Sequence, residues 1–582
     1  MSGNTTTFHT GTGKTAKCFC AALSAFAIAT AALAGAEPPP LRMAYNYCTL
    51  AYTFAFYSDA EWKAEIERLA KAGYNAALVI DGTFKVWQDT LRELGADEGT
   101  IAAFIPDECA RPWWLMGNLA GEGGPIDQPT IDDDARRGRE ICRMMREHGI
   151  EPVLQGYAGM LPAGFGDNLI EQGAWGPYEQ PPLLDPTSPR FAEVAAVWYR
   201  SLERVYGFKP KFLAGDLFHE GGASGDIDVT AATCAVQTAQ QRAFPGVVWM
   251  VQAWQKNPVA EVRAGLDPRF TVIEALVKDL SQTPHPLDYG QLPWIWCELL
   301  NFGGNHGIYG NLRTFARLGE CAGGETFRGY GSLSEGFFTN PVCSDLFEEM
   351  MRRPAGSVMN DAELEEWLRQ WHEKRYGVTD ERITEAWRLL ARSAYSVTNK
   401  QEGAVENVMC AKPSWKANNV SAWGPKGGLY YESEDVSRAY ALLREAAEAQ
   451  GAAAAPALLD DVADVGRQVV ANEARRLAPL LMRYPAARRR FLALFPRLAK
   501  ILDGRESFSL AAQEARARRR AGQRGVDAFR RMVTSWSAPL PEGEANVLED
   551  YAHREYRELV LDYYLPRWKK FFDDATKKKG SK

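Results

Sequence analysis

Metal-binding patterns are missing from this sequence. Its ten cysteines contain no CxxC pair and no Cys/His spacing of the kind a zinc site requires. Cys18 and Cys20 stand near the start; the other eight, at 48, 109, 142, 234, 297, 321, 343 and 410, are scattered. A chain of 582 residues has enough core to fold without disulfides, and the spacing leaves any pairing open. Charge of one sign is also scarce. A net charge of −7 over this length gives a nucleic acid nothing to be attracted to in bulk. After residue 40 no apolar run is long enough to cross a bilayer. What is plentiful is aromatic: 11% of residues, with 17 tryptophans, suit a large globular protein with aromatic-lined surfaces, built as two or three domains.

The first residues read as an export signal. Lys14 and Lys17 precede an apolar, alanine-rich run from Cys18 to Leu33, then Ala34-Gly-Ala36 and Glu37-Pro-Pro-Pro. A basic segment, an apolar segment and a small-x-small site describe a cleaved secretory signal over 1–36, so the mature chain is expected to be secreted or periplasmic.

From residue 41 strand-like and helix-like patterns alternate. Strands are expected at 41–48, 75–80, 151–157, 211–218, 247–254, 271–277, 294–301 and about 328–333. Helices are expected from a capped Ser58 to Ala72, at 131–148, 190–206, 229–243 and about 311–320. About eight repeats in this order predict an α/β architecture, a TIM-like (β/α)₈ barrel over 41–344. Beyond it, apolar residues recur at helical spacing with few strand-like runs, predicting an all-α helical C-terminal domain at 345–575 and a short basic tail at 576–582. The basic run Arg516–Arg520 reads as a solvated helix face.

One stretch concentrates the chemistry. Trp294–Gly336 opens as the apolar run WIWCELL and breaks at Asn301-Phe-Gly-Gly-Asn-His-Gly307. A strand ending in glycines, amides and an imidazole is how a barrel enzyme makes a binding floor. Two glutamates follow apolar strands and precede glycine, Glu220 in GDLFHEGG and Glu335 in GSLSEG. Glycosidic cleavage requires such a pair, one acid to protonate the leaving oxygen and one to stabilise or attack the anomeric carbon. Asp216 is placed to orient Glu220, and Asp81, Glu298 and Glu274 are rival acids.

In order along the chain, NYCT, PWWLMGNL, GDLFHE, IWCELLNFGGNHG, GSLSEG, NVLEDYA and DYYLPRW resemble the α-N-acetylglucosaminidases of glycoside hydrolase family 89, over about 42–572. The resemblance implies a barrel followed by a helical domain, and an exo-acting, retaining hydrolase that releases terminal α-linked N-acetylglucosamine from mucin-type or heparan-type glycans. It implies neither metal nor organic cofactor, and a glycan with a terminal α-linked N-acetylglucosamine as the partner, with the oligomeric state open. By motif it makes Glu220 the general acid/base and Glu335 the nucleophile, with carboxyl groups about 5–5.5 Å apart. Its substrate pocket would be Asn46, Cys48, Trp113, Met116, Asn118, His219, Trp254, Asn305, His306, Trp536 and Tyr551, Cys48 as a wall rather than a nucleophile.

Three departures accompany the resemblance. The family usually carries a domain before the barrel. His219 stands where it has Asn, which bears on recognition of the 2-position group. Ser334 stands where the familiar form has Pro. Two other readings remain: a related α-glycosidase selecting another terminal hexose, or a catalytically silent carbohydrate-binding barrel.

Overall fold

The computed structural model describes residues 40–218, 220, 222–398, 403–417, 420, 429–540 and 548–580. The expected signal segment and His219 lie outside them. Eight parallel strands close into a barrel: β1 Leu41–Ala44, β2 Ala76–Leu78, β3 Glu151–Gln155, β4 Phe212–Ala214, β5 Val248–Ala253, β6 Thr271–Val277, β7 Trp294–Glu298 and β8 Phe327–Ser332. Each pairs with its sequence neighbours, and β1 closes on β8 through Leu41–Gly329, Arg42–Tyr330, Met43–Gly331 and Ala44–Ser332. Strands covered on both faces run apolar without alternation. β7 is such a strand, buried at every position.

Every expected strand is present, including 271–277, and the observed strands are mostly shorter. The difference at β1 matters for the site. Asn46 caps a helix, Tyr47–Tyr52, accepting the Thr49 N–H while Thr49 returns its side chain to the Asn46 backbone. This reciprocal cap turns the chain off the strand four residues before the periodicity would end it. Between β6 and β7 no helix forms, since Pro284, Pro286, Gly290 and Pro293 break any run there. Between β3 and β4 the chain makes two short antiparallel ladders, Leu169–Ile170 with Leu183–Leu184 and Ala174–Trp175 with Tyr178–Glu179.

From Pro341 onward the described elements are helical. The first, Pro341–Arg352, packs on the barrel wall, its Glu348 paired with Arg68 at 2.7 Å. The helix Leu510–Thr534 corrects the reading of Arg516–Arg520 as a solvated face. Arg518 and Arg519 are exposed, but Arg516 reaches Glu61 at 2.7 Å and Arg520 reaches Asp133 at 2.6 Å, both on barrel helices. Farther along, Arg524 pairs with Glu108 and Arg531 with Asp107. The helix breaks at Ala521 and Gly522, so Arg516 and Arg520, one turn apart, share a face before the break, and Arg524 and Arg531 carry the contact with acids of the barrel beyond it. The last helix, Leu565–Gly580, runs through 576–580, where lysines are good helix formers and suit a C-terminal turn.

Candidate active site

Where strands leave the barrel at its C-terminal rim, backbone strain accumulates. Phe218, Glu220, Gln255 and Asn301 have φ of 62°, 41°, 54° and 52°, values that side-chain-bearing residues rarely adopt. Such residues persist only where the surroundings fix them, and they gather at functional sites. Two of the four, Glu220 and Gln255, line a cavity of about 590 Å³ together with Glu335, and Asn301 directly precedes Phe302 in its wall.

Glu220 follows β4 and has both oxygens engaged. Asn118 Nδ2 donates to Oε2 at 2.9 Å, and Trp254 Nε1, just beyond β5, donates to Oε1 at 2.7 Å. Lys278, beyond β6, lies 4.9 Å from the Trp254 ring centroid. Asn118 belongs to the turn after the short helix Arg111–Leu115, and its own side chain is buried.

Glu335 follows β8 and is buried, with a backbone N–H bonded to Leu300 O at 3.0 Å. Its Oε2 accepts the Gly303 N–H and the Tyr551 hydroxyl, the latter at 3.2 Å. Gly303 reaches it because the loop turns through left-handed conformations at Asn301 and Gly303. A Cβ on Gly303 would stand 2.4 Å from Tyr551 O, so only glycine lets the C-terminal segment lie on this loop. Burial pushes the Glu335 carboxyl up to about 7, and the nearby Glu220 adds to that. The Gly303 N–H, the Tyr551 hydroxyl and the Cys48 thiol act the other way, since donors favour the charged form. Burial, with both glutamates close, pushes the Cys48 thiol well above its ordinary value, so it stays protonated and unreactive.

Of the residues named from the sequence, Asn46, Cys48, Trp113, Met116, Trp254 and Tyr551 line the cavity beside the two glutamates. Asn46 is committed to structure as well, its Nδ2 donating to Leu333 O at 2.6 Å. Asn118 reaches the cavity through Glu220. Asn305, His306 and Trp536 are absent from the lining. Asn305 donates to Tyr551 O at 3.0 Å. His306 accepts the Glu555 N–H at 3.3 Å and packs on Phe508 and Tyr556. Desolvation there, with Arg554 and Arg467 close by, holds its imidazole well below its ordinary value, so it stays neutral. Trp536 lies behind the wall, its ring 5.0 Å from Trp113 and its Nε1 bonded to the Tyr52 hydroxyl at 3.0 Å. The glycine loop thus presents Phe302 to the cavity and Gly303 to Glu335, while Asn305 and His306 face the C-terminal segment and Asn301 bonds within the loop and to Asn340.

The rival acids also stand outside the lining. Asp81 lies 3.5 Å from Arg111 and 3.6 Å from Arg137. Glu298 takes a 2.6 Å hydrogen bond from Ser332, and burial pushes it up to about 7. Burial, and secondarily Asp216, pushes Glu274 up to about 8. Asp216 itself accepts the Gln252 backbone N–H at 3.0 Å, tying the ends of β4 and β5 together.

The lining also includes residues not named from the sequence as site residues: Trp175 and Gly176 on a hairpin, Gln252 and Gln255 around β5, Leu276 and Lys278 around the end of β6, and Leu299, Phe302 and Leu548. Gln252 and Lys278 carried a usable signal, being polar residues at the C-terminal ends of barrel strands. Trp175 carried none, because its ladder is only two residues long on each side. Among the described residues no cluster of three or more His, Cys, Asp or Glu could hold a metal ion. No described helix is long and apolar enough to cross a membrane.

Comparison with known proteins finds relatives over the barrel and over the helical region. Residues 42–354 match the family model described as the α-N-acetylglucosaminidase (NAGLU) TIM-barrel domain, and 367–582 match its C-terminal domain. The human α-N-acetylglucosaminidase is 29% identical over 93% of this chain and 75% of its own length. A family 89 glycoside hydrolase from Clostridium perfringens, in complex with 2-acetamido-1,2-dideoxynojirimycin, superposes with a TM-score of 0.85 at 28% identity. A variant from that organism with two glutamates replaced by glutamine, bound to its substrate GlcNAc-α-1,4-galactose, gives 0.86 at 27% identity. This chain covers 63% of each bacterial chain, which in turn covers 92% of this one.

Proposed function

The chain belongs to the α-N-acetylglucosaminidase family, glycoside hydrolase family 89, and from that premise we propose that it is an exo-acting, retaining hydrolase releasing terminal α-linked N-acetylglucosamine from glycans. The observation that carries the proposal is the pair Glu220 and Glu335, from opposite sides of the barrel rim, facing one cavity, with Asn118 and Trp254 donating to Glu220 and Gly303 and Tyr551 donating to Glu335.

Glu335 is the nucleophile. In the first half-reaction its carboxylate attacks the anomeric carbon while Glu220 protonates the glycosidic oxygen, and the aglycone leaves. In the second, Glu220 takes a proton from water, which attacks the same carbon and releases Glu335. The Gly303 and Tyr551 donors favour the ionised form that attack requires. Trp113, Trp175 and Phe302 supply apolar faces for the pyranose, and Gln252 an amide for its hydroxyls. The substrate is a glycan with a non-reducing α-GlcNAc end, and the N-terminal signal pattern supports a secreted or periplasmic location.

The residue at 219 motivates a second reading, selection of another terminal hexose, because His replaces the family's Asn beside the acid. A release screen on α-linked aryl hexosides and disaccharides, run with wild type and Glu335→Ala, separates the readings. Free N-acetylglucosamine from wild type alone supports the proposal; another sugar supports the second reading. No turnover of any α-hexoside, with sugar binding retained, returns the chain to a silent binding barrel.

A further inference from the structure

Arg554 is a buried cation that the reaction above does not use. It sits three residues after Tyr551, and no carboxylate pairs with it among the described residues. Its partners are oxygens of neutral groups. Nη1 donates to Gly303 O at 2.6 Å and Ala552 O at 2.9 Å, with longer approaches to His553 O and Asn305 Oδ1 at 3.2 and 3.3 Å. Nη2 donates to Tyr52 O at 3.3 Å. Desolvation holds the guanidinium below its ordinary value, the mark of a charge expensive to bury.

Those oxygens come from three separated segments that meet at Glu335. Gly303 donates its N–H to the carboxylate; Tyr551, on the segment of Ala552 and His553, donates its hydroxyl. Tyr52 ends the helix that carries Cys48. A planar guanidinium with five donors in a fixed fork can span three such segments at once, and an ammonium on a flexible stem cannot. Resting on the reading of Glu335 as nucleophile, we propose that Arg554 is a positioning residue: it clamps the glycine loop, the Tyr551 segment and the Cys48 helix so that both donors stay aimed at Glu335.

The pH profile of kcat/KM tests this. The titratable and charged groups facing Glu335 are Glu220, Cys48, Tyr52 and Tyr551, and none is changed by substituting Arg554. Below its pKa Glu335 is protonated and cannot attack, so it sets the acidic limb. Arg554→Met should loosen both donors, moving that limb up by roughly one pH unit and lowering kcat/KM by about tenfold or more at neutral pH. Arg554→Lys should restore the charge without the span and fall between. The affinity of 2-acetamido-1,2-dideoxynojirimycin, measured across pH, should follow the same shift and needs no turnover. An unmoved limb in a folded Arg554→Met, with activity down only in proportion to folded protein, overturns the inference. A wild type that neither hydrolyses α-GlcNAc nor binds the iminosugar overturns the functional proposal instead.

Discussion

Glu335 illustrates how one residue can serve chemistry against stability. Its carboxyl is buried and pushed up from 4.5 to about 7. Between pH 4.5 and 7 the folded protein therefore keeps a proton that the unfolded chain releases. Stability associated with this group is full below pH 4.5 and lost as pH rises through 7. Glu335→Gln removes the ionisable group, so it should stabilise the protein by roughly 3 kcal/mol at pH 8 and hardly at all at pH 4; paired denaturant titrations check both. Tyr551→Phe acts the opposite way on the same carboxyl. Losing one donor to the ionised form should raise the acidic limb of kcat/KM and cost more activity at pH 6 than at pH 8, which a rate–pH profile reads directly. At this scale much was legible: an acid after an apolar strand and before glycine marks both glutamates. What periodicity could not carry was the direction of the loop's side chains. Asn305 and His306 have the chemistry of sugar ligands, but their bonds run to Tyr551 and Glu555.

Among the elements, the barrel strands were legible because parallel strands buried on both faces leave continuous apolar runs. Other elements were not, among them three that bear on the site and its surroundings. The Tyr47–Tyr52 helix depends on a cap formed by Asn46, a residue that reads equally well as the end of a strand. The hairpin carrying Trp175 is too short for alternation to register. In Leu510–Thr534, the sequence records that the helix is basic but not what it faces. That helix yields a graded test. Asp107 is nearly fully buried against Arg531, whereas Arg516 and Glu61 remain partly in water. Arg531→Ala leaves a buried carboxylate without its cation and should cost about 3–5 kcal/mol. Arg516→Ala should cost less than about 1 kcal/mol. Equal losses in chemical denaturation would contradict the ranking of the buried Arg531–Asp107 pair above the partly exposed Arg516–Glu61 pair.

For the molecule as a whole, the barrel and the residues beyond it make one site. The barrel provides both carboxylates; the segment 548–555 provides Leu548 and Tyr551 to the cavity and Arg554 beneath it. A buried network secures that segment, with Arg467 donating to Glu555 Oε1 at 2.7 Å and Asn407 to Oε2 at 2.6 Å. The order of motifs made this joint site readable from the resemblance, while composition and periodicity alone gave only a barrel and a run of helices. Proton NMR recorded during the first turnovers of an aryl α-N-acetylglucosaminide addresses the double displacement most directly. Attack by Glu335 followed by water must release the α-anomer of N-acetylglucosamine first, with the β-anomer growing in only by mutarotation. A β-anomer formed first would mean that water attacks directly, and Glu335 would not be the nucleophile.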